Sequence, residues 1–196
     1  MSKSDTVGPK KEHNKAIRWV ITVFIATIFI SGIISLASEE IMSASSMPVA
    51  FIILLVIVFI GILFDIIGVA VTSADEKPFH SMAARKVPGA LEAIRLLRNA
   101  EKVGSICNDV VGDICGVVSG SASATIAAQV LQNFELSWPM LASLLMSALV
   151  AGLTVGGKAI GKGLAINSCT KIVHFVGRVI HRFQGIGGIF KRENTK

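Results

Sequence analysis

Four long apolar stretches, separated by short polar connections, set the pattern of this chain. They cover residues 17–37, 48–73, 103–131 and 138–155, and each approaches or exceeds the roughly 20 helical residues that cross about 30 Å of hydrocarbon. The pattern predicts an all-α integral membrane protein: four transmembrane helices in a single membrane domain over residues 17–183. The first stretch has a basic flank like that of a signal peptide, but it is long and Ser35-Leu36-Ala37 is a weak cleavage site, so it is expected to stay as an anchor.

Shorter amphipathic patterns lie between and after the spans. Asp75-Glu76-Lys77-Pro78 has the acidic residues and early proline of a helix start, and Pro88-Gly89 breaks the helix that follows near Lys86. Over residues 90–102, Leu91, Ile94 and Leu97 oppose Arg95, Arg98 and Lys102. Two short belt helices within residues 79–102, lying along the membrane surface, are expected. Over residues 169–183, Ile172, Phe175, Val176, Val179, Ile180 and Phe183 recur at helical spacing against Lys171, His174, Arg178 and Arg182, which predicts a basic juxtamembrane helix. Residues 1–16 are polar and mixed in charge and read as a disordered tail. Gly185, Gly187 and Gly188 open a flexible tail over residues 184–196.

Composition agrees with the membrane reading: 52% of the 196 residues are hydrophobic and 16% charged, against about 25% charged in soluble domains. Charge placement adds an orientation, because short loops rich in Lys and Arg stay cytoplasmic. Lys3, Lys10, Lys11, Lys15 and Arg18 precede or open the first span, and Lys77, Arg85, Lys86, Arg95, Arg98 and Lys102 separate the second from the third. The connections 38–47 and 132–137 hold Glu39, Glu40 and Glu135 and no basic residue. Both termini are therefore expected in the cytoplasm, at a plasma (inner) membrane. The net charge of +6 fits the anionic lipid headgroups of the inner leaflet and calls for no nucleic acid.

Within the spans the acids are the chemistry. Residues 103–133 hold two charged side chains, Asp109 and Asp113, and an ionised Asp at a bilayer centre costs on the order of 3 kcal/mol. A 100° step per residue puts Ser105, Gly112, Asp113, Gly116 and Gly120 within about 60° of Asp109. Gly112, Gly116 and Gly120 form small-xxx-small steps that admit a close helix, so acids and glycines are expected to share a protein-facing side while Ile106, Val110 and Val117 face lipid. Asp65, in the second span, is expected at a comparable depth and facing Asp109. With Asn108 and the hydroxyls of Ser105, Thr72, Ser143 and Ser147 these acids make an all-oxygen environment suited to a hard cation such as Mg²⁺ or Ca²⁺. The other reading has the acids neutral and hydrogen-bonded to nearby hydroxyls or backbone.

Other motifs carry less. Gly156-Gly157-Lys158-Ala159-Ile160-Gly161-Lys162-Gly163 has the glycines and lysine of a phosphate loop, but Gly163 replaces its Ser or Thr and no strand precedes it. No nucleotide is expected, and the segment reads as a flexible cationic exit from the fourth span. Cys107, Cys115 and Cys169 indicate no disulfide framework. His80, His174 and His181 lack a metal-ligand pattern, and no nucleophile–base constellation suggests an enzyme.

The order of features resembles the transmembrane domain of the cyclin M/CorC magnesium-transporter (hemolysin C-like) family over residues 48–183. The family has a Phe-Phe-Ser-Ala-Ala-Glu-Thr-Ala-Leu type motif, belt helices, a Gly-Asn-x-x-x-Asn span and a Gly-Glu-x-x-Pro-Lys ending. Residues 64–71 (FDIIGVAV), 107–112 (CNDVVG) and 157–162 (GKAIGK) stand in those places. Asp65 falls on the Ser of the first motif, Asn108 on the first Asn of the second and Lys162 on the final Lys. Gly68 stands for the first motif's Glu, Gly112 for the second Asn, Gly161 for the Pro and Lys158 for the last motif's Glu. The regulatory domains of full-length members have no counterpart here.

The resemblance implies a homodimer and a Mg²⁺-like divalent cation as cargo. The expected function is therefore divalent-cation transport through Asp65, Ser105, Asn108, Asp109 and Asp113, with Lys158 and Lys162 as ion pair or gate. The alternative is a non-transporting scaffold or accessory subunit whose acids are neutralised by Lys158.

Overall fold

The computed structural model describes the backbone of residues 9–133 and 139–193, and all of its regular structure there is helical. In chain order the elements are α1 (Pro9–Ser43), α2 (Met47–Ser73), α3 (Lys77–Ala84), α4 (Ala90–Arg98), α5 (Ala100–Ser105), a π-helical turn (Ile106–Val111), α6 (Gly112–Asn133), α7 (Pro139–Asn167) and α8 (Cys169–Glu193). Four segments are long and apolar enough to cross a membrane: Ile17–Met42, Met47–Ser73, Ala100–Leu131 and Ser143–Asn167. The third threads α5, the π-turn and α6 into one crossing.

Helix α2 is the axis of the bundle. Pro48 in its first turn pre-sets the helical φ without losing a needed donor. Its buried positions Ala50, Leu54, Val58, Gly61, Asp65 and Gly68 recur every three or four residues, so they form one stripe down one face. The upper part of that stripe joins Met42 of α1, Ala122 and Ile126 of α6 and Val150 of α7 in one apolar cluster. Its end, Ala70 and Val71, joins a second cluster with Phe79 of α3, Ala93 and Ile94 of α4, Ala165 of α7 and Val173 of α8. Phe79 is fully buried there and anchors the short α3 under the bundle, a burial that stabilises by roughly 1.5–3 kcal/mol. Between the two clusters the stripe is glycine and aspartate, and that gap is where the polar chemistry sits.

Helix α1 touches the bundle mainly through its C-terminal end. Ser38 and Met42 are buried, whereas Val20, Phe24, Ile28, Phe29, Ile33 and Leu36 are exposed, as suits a lipid-facing surface. Gln129 of α6 donates from Nε2 to the Met42 carbonyl at 3.1 Å.

Several helices outrun their expected ends. Helix α1 begins at Pro9, so residues 9–16 of the expected disordered tail 1–16 are helical, and it continues through Glu39 and Glu40 to Ser43; residues 1–8 lie outside the described residues. Helix α7 does not stop at residue 155, so the segment 156–163 is helical to Asn167 and not a flexible exit. Glycines with no neighbouring backbone to relieve, such as Gly156 and Gly163, lower helix propensity by about 1 kcal/mol each, less than packing can override. Helix α8 likewise passes Phe183 and continues to Glu193. Residues 134–138, the core of the expected acidic connection between the last two spans, and residues 194–196 lie outside the described residues.

Candidate functional site

Two glycines bring α7 against α2. A Cβ on Gly157 would collide with Ile62 Cδ1, and one on Gly161 would lie 2.7 Å from Ile66 Cγ1. Ile62 and Ile66 are one turn apart on α2 and fit into the two gaps that Gly157 and Gly161 leave on α7, a small-xxx-small contact. This close approach carries Lys158, between the two glycines, to Asp65, between the two isoleucines. Lys158 Nζ lies 4.0 Å from Asp65 Oδ1 and donates to the Gly112 carbonyl at 3.5 Å. Asp65 is 5% exposed, whereas the Lys158 side chain is 23% exposed. Lys158 thus bridges α7, α2 and the start of α6.

The π-turn supplies the third wall. A π-turn adds a residue to the helix and shifts its phase, so side chains on its two sides no longer share one straight-helix wheel. Here it buries Cys107 and turns Asn108 onto α2. Asn108 Oδ1 occupies the space that any Cβ on Gly68 would need, and Gly104, just before the turn, rests on Thr72 Cγ2 at 2.7 Å from where a Cβ would be. Among the described residues, two buried side-chain oxygens have no hydrogen-bond partner: Asp65 Oδ2 and Asn108 Oδ1. Asn108 packs on Gly68, and Asp65 lies one turn earlier on the same buried stripe of α2. An unpaired buried acceptor costs about 1–3 kcal/mol, more when charged, so two of them here mark a place with unspent capacity for a cationic or donor ligand.

The third span's acids stand elsewhere. Asp109 and Asp113 are exposed on the outside of the bundle, so Asp109 does not face Asp65, contrary to the straight-helix expectation. Ser105 Oγ donates to Asp109 Oδ2 at 2.9 Å, one turn back on the same helix. Gly112 is buried, its Cβ position 3.4 Å from Lys158 Nζ, but Gly116 and Gly120 have nothing within 4 Å of theirs. The face of α6 that packs inward is instead Ile114, Val118, Ala122, Ile126 and Ala127. Ile106 and Val117 are exposed as expected.

The remaining oxygen donors do not converge either. Thr72 Oγ1 is taken up by carbonyls of its own helix, Gly68 and Val69, both at 3.1 Å. Ser143 and Ser147 line an open apolar groove beside Leu131 and Leu144; Ser147 is some 16 Å along α7 from Lys158 at 1.5 Å per residue. Lys162 is exposed one turn beyond Lys158. Among the described residues no three of His, Cys, Asp and Glu gather as a metal-holding group. What remains is one carboxylate, one amide oxygen, one backbone carbonyl and one ammonium.

A second polar contact, unforeseen in the sequence, locks α4 to α8. Gly177 has no side chain because a Cβ there would strike the Gly89 carbonyl, and Gly89 itself, at φ +84°, would put a Cβ 2.5 Å from the Arg178 nitrogen. At this crossing Glu92 is buried and its Oε1 lies 3.0 Å from His181 Nδ1, while His174 Nε2 donates to the Pro88 carbonyl at 3.2 Å. Burial pushes the Glu92 carboxyl up, but the His181 hydrogen bond, a bond to its own backbone, and the charges of His181 and Arg95 outweigh it and leave it below its ordinary value.

Compared with family models, with curated proteins and with solved structures, the chain matches none of them. The reading of function therefore rests on the geometry.

Proposed function

We propose that this chain is a multi-pass membrane protein that binds and moves a hard divalent cation of the Mg²⁺ class at the crossing of α2, α7 and the π-turn. The observation that carries this is the pair of orphaned buried oxygens, Asp65 Oδ2 and Asn108 Oδ1, the first on α2 and the second packed on α2 one turn further along at Gly68. A Mg²⁺ ion keeps several of its waters and needs only one or two carboxylates from protein, so a single Asp with amide and backbone oxygens is a sufficient set. Lys158 holds the Asp65 charge in balance between loadings, and an entering cation takes the place of its ammonium. The likeness in order and spacing to the cyclin M/CorC membrane domain agrees on two residues: Asp65 and Asn108 fall on its motif positions and own the orphaned oxygens.

Asp109 and Asp113 serve the assembly in this reading. A lipid-facing ionised Asp costs on the order of 3 kcal/mol, and these two stand beside Gly116 and Gly120, which leave room for close approach. A second copy covering that face would give the homodimer. Both termini lie in the cytoplasm of a plasma membrane by the distribution of Lys and Arg, with α3, α4 and α8 along the inner surface.

One contact favours a second reading. Lys158 within 4.0 Å of Asp65 also suits a non-transporting scaffold or accessory subunit in which the pair is permanent. Purified protein in proteoliposomes loaded with a Mg²⁺-sensitive dye separates the two. Transport requires Mg²⁺ entry that Asp65→Asn abolishes. A permanent pair allows none in any variant.

A further inference from the structure

Beyond cation handling, the geometry points to a binding site for one anionic phospholipid headgroup in the cleft between α8 and the Pro88 turn that leads into α4. The cleft is a cavity of about 360 Å³ lined by Pro88, Phe175, Arg178, Val179, His181 and Arg182. Its width is fixed beside it, where the Gly89–Gly177 backbone approach and the Glu92–His181 contact hold the turn and α4 against α8. Its rim is cationic. Arg178 and Arg182 are one turn apart on α8, both exposed, and among the described residues neither has an ion-pair partner. Glu92, the acid that packs against α8 at this crossing, is already engaged by His181.

The chemistry fits a phosphodiester at an apolar boundary. Two guanidiniums a turn apart present forked donors that match phosphate oxygens. Beside them Phe175 and Val179 are exposed, apolar surface that suits the start of an acyl chain and not a free, fully hydrated anion. Helix α8 begins at Cys169, just past the end of the fourth apolar segment at Asn167, which puts the cleft at headgroup level. Basic pockets beside membrane helices recognise headgroups in this way. The lipid would then bridge the Pro88 turn and α8, beside the cluster in which α4 and α8 pack on the end of α2.

The test is native mass spectrometry of the full chain released from detergent with added phosphatidylglycerol, phosphatidylcholine or inorganic phosphate. Wild type should retain one phosphatidylglycerol and no phosphatidylcholine. Arg178→Gln/Arg182→Gln should retain it about tenfold more weakly, whereas Lys171→Gln, which removes a charge from the same helix away from the cleft, should retain it as wild type does. An unchanged circular dichroism spectrum and elution volume establish that the double variant is folded. Equal retention by the double variant, an equal loss in Lys171→Gln, or displacement of the lipid by millimolar phosphate alone each overturns the lipid site; the last outcome assigns the cleft to a free phosphate.

Discussion

Lys158 of α7 and Asp65 of α2 meet at 4.0 Å in the interior of the bundle, and they meet because Gly157 and Gly161 let α7 close onto Ile62 and Ile66. The relationship decides what a substitution at either residue does. Removing one member of a buried pair leaves the other uncompensated, which costs 3–5 kcal/mol when both are deeply buried. Lys158 is partly exposed and the contact is long, so Lys158→Met should lower stability in detergent by about 2 kcal/mol. The double substitution Asp65→Asn/Lys158→Met should recover most of that loss. Thermal denaturation of Asp65→Asn, Lys158→Met and the double variant measures both effects, and an additive double variant contradicts the pairing.

The glycines sort into two groups. Gly177→Ala drives a Cβ into the Gly89 carbonyl, a backbone atom that cannot rotate away, and should destabilise by about 2 kcal/mol or more through the α4–α8 crossing. Gly163→Ala meets nothing within 4 Å and should be neutral or gain up to about 1 kcal/mol from helix propensity. Gly68→Ala falls between them, since it strikes the Asn108 side chain, which can swing aside. It should leave the fold intact and weaken cation binding. Melting curves rank the three, and a Gly177→Ala protein as stable as Gly163→Ala contradicts the crossing.

The Glu92–His181 contact carries a pH signature. The folded state holds the Glu92 carboxyl below its ordinary value of 4.5, so the unfolded chain binds the proton more readily. Stability from this group is complete above about pH 4.5 and is lost as pH falls through the lower folded value. Wild type and Glu92→Gln should therefore differ most in melting temperature near neutral pH and converge in acid. A difference that grows below pH 4.5 reverses the sign and contradicts the contact.

The exposed acids give a fourth test. Asp109→Asn and Asp113→Asn should reduce Mg²⁺ entry far less than Asp65→Asn does, because neither faces the α2–α7 crossing. In a variant lacking Cys107, Cys115 and Cys169, Gly120→Cys should form an intermolecular disulfide in membranes under mild oxidation. Loss of flux equal to that of Asp65→Asn would return those acids to the ion path.

How much of this could be read from the chain varies with the physics. The four apolar segments were plain, since hydropathy over some 20 residues suffices to find a span. So were the breaks around α3 and α4, where Pro88 and Gly89 interrupt helical periodicity. The facing of Asp109 was not. Apart from Ile114, Ile126 and Leu131, the apolar positions of α6 are small and spread around the helix, so its inward face is only weakly marked and follows the packing against α1, α2 and α7. The π-turn also breaks the constant 100° step on which a helical wheel depends. Gly157 and Gly161 carried a readable small-xxx-small signal, obscured by the phosphate-loop spacing that overlaps it. The Glu92–His181 contact joins residues 89 apart, and nothing local announces it. A wheel puts Leu91 within about 40° of Arg95, Arg98 and Lys102, and it is 60% exposed, but no wheel signals the burial of the acid Glu92, 8% exposed.

If Asp65 and Asn108 accept a cation in competition with Lys158, the thermal stability of the purified protein depends on Mg²⁺. Binding to the folded state alone stabilises by about 2.7 kcal/mol at a hundredfold excess over Kd. Mg²⁺ should raise the melting temperature of wild type, raise that of Lys158→Met further because no ammonium must be displaced, and leave Asp65→Asn unmoved. No rise in wild type or in Lys158→Met, or an equal rise in Asp65→Asn, would contradict it.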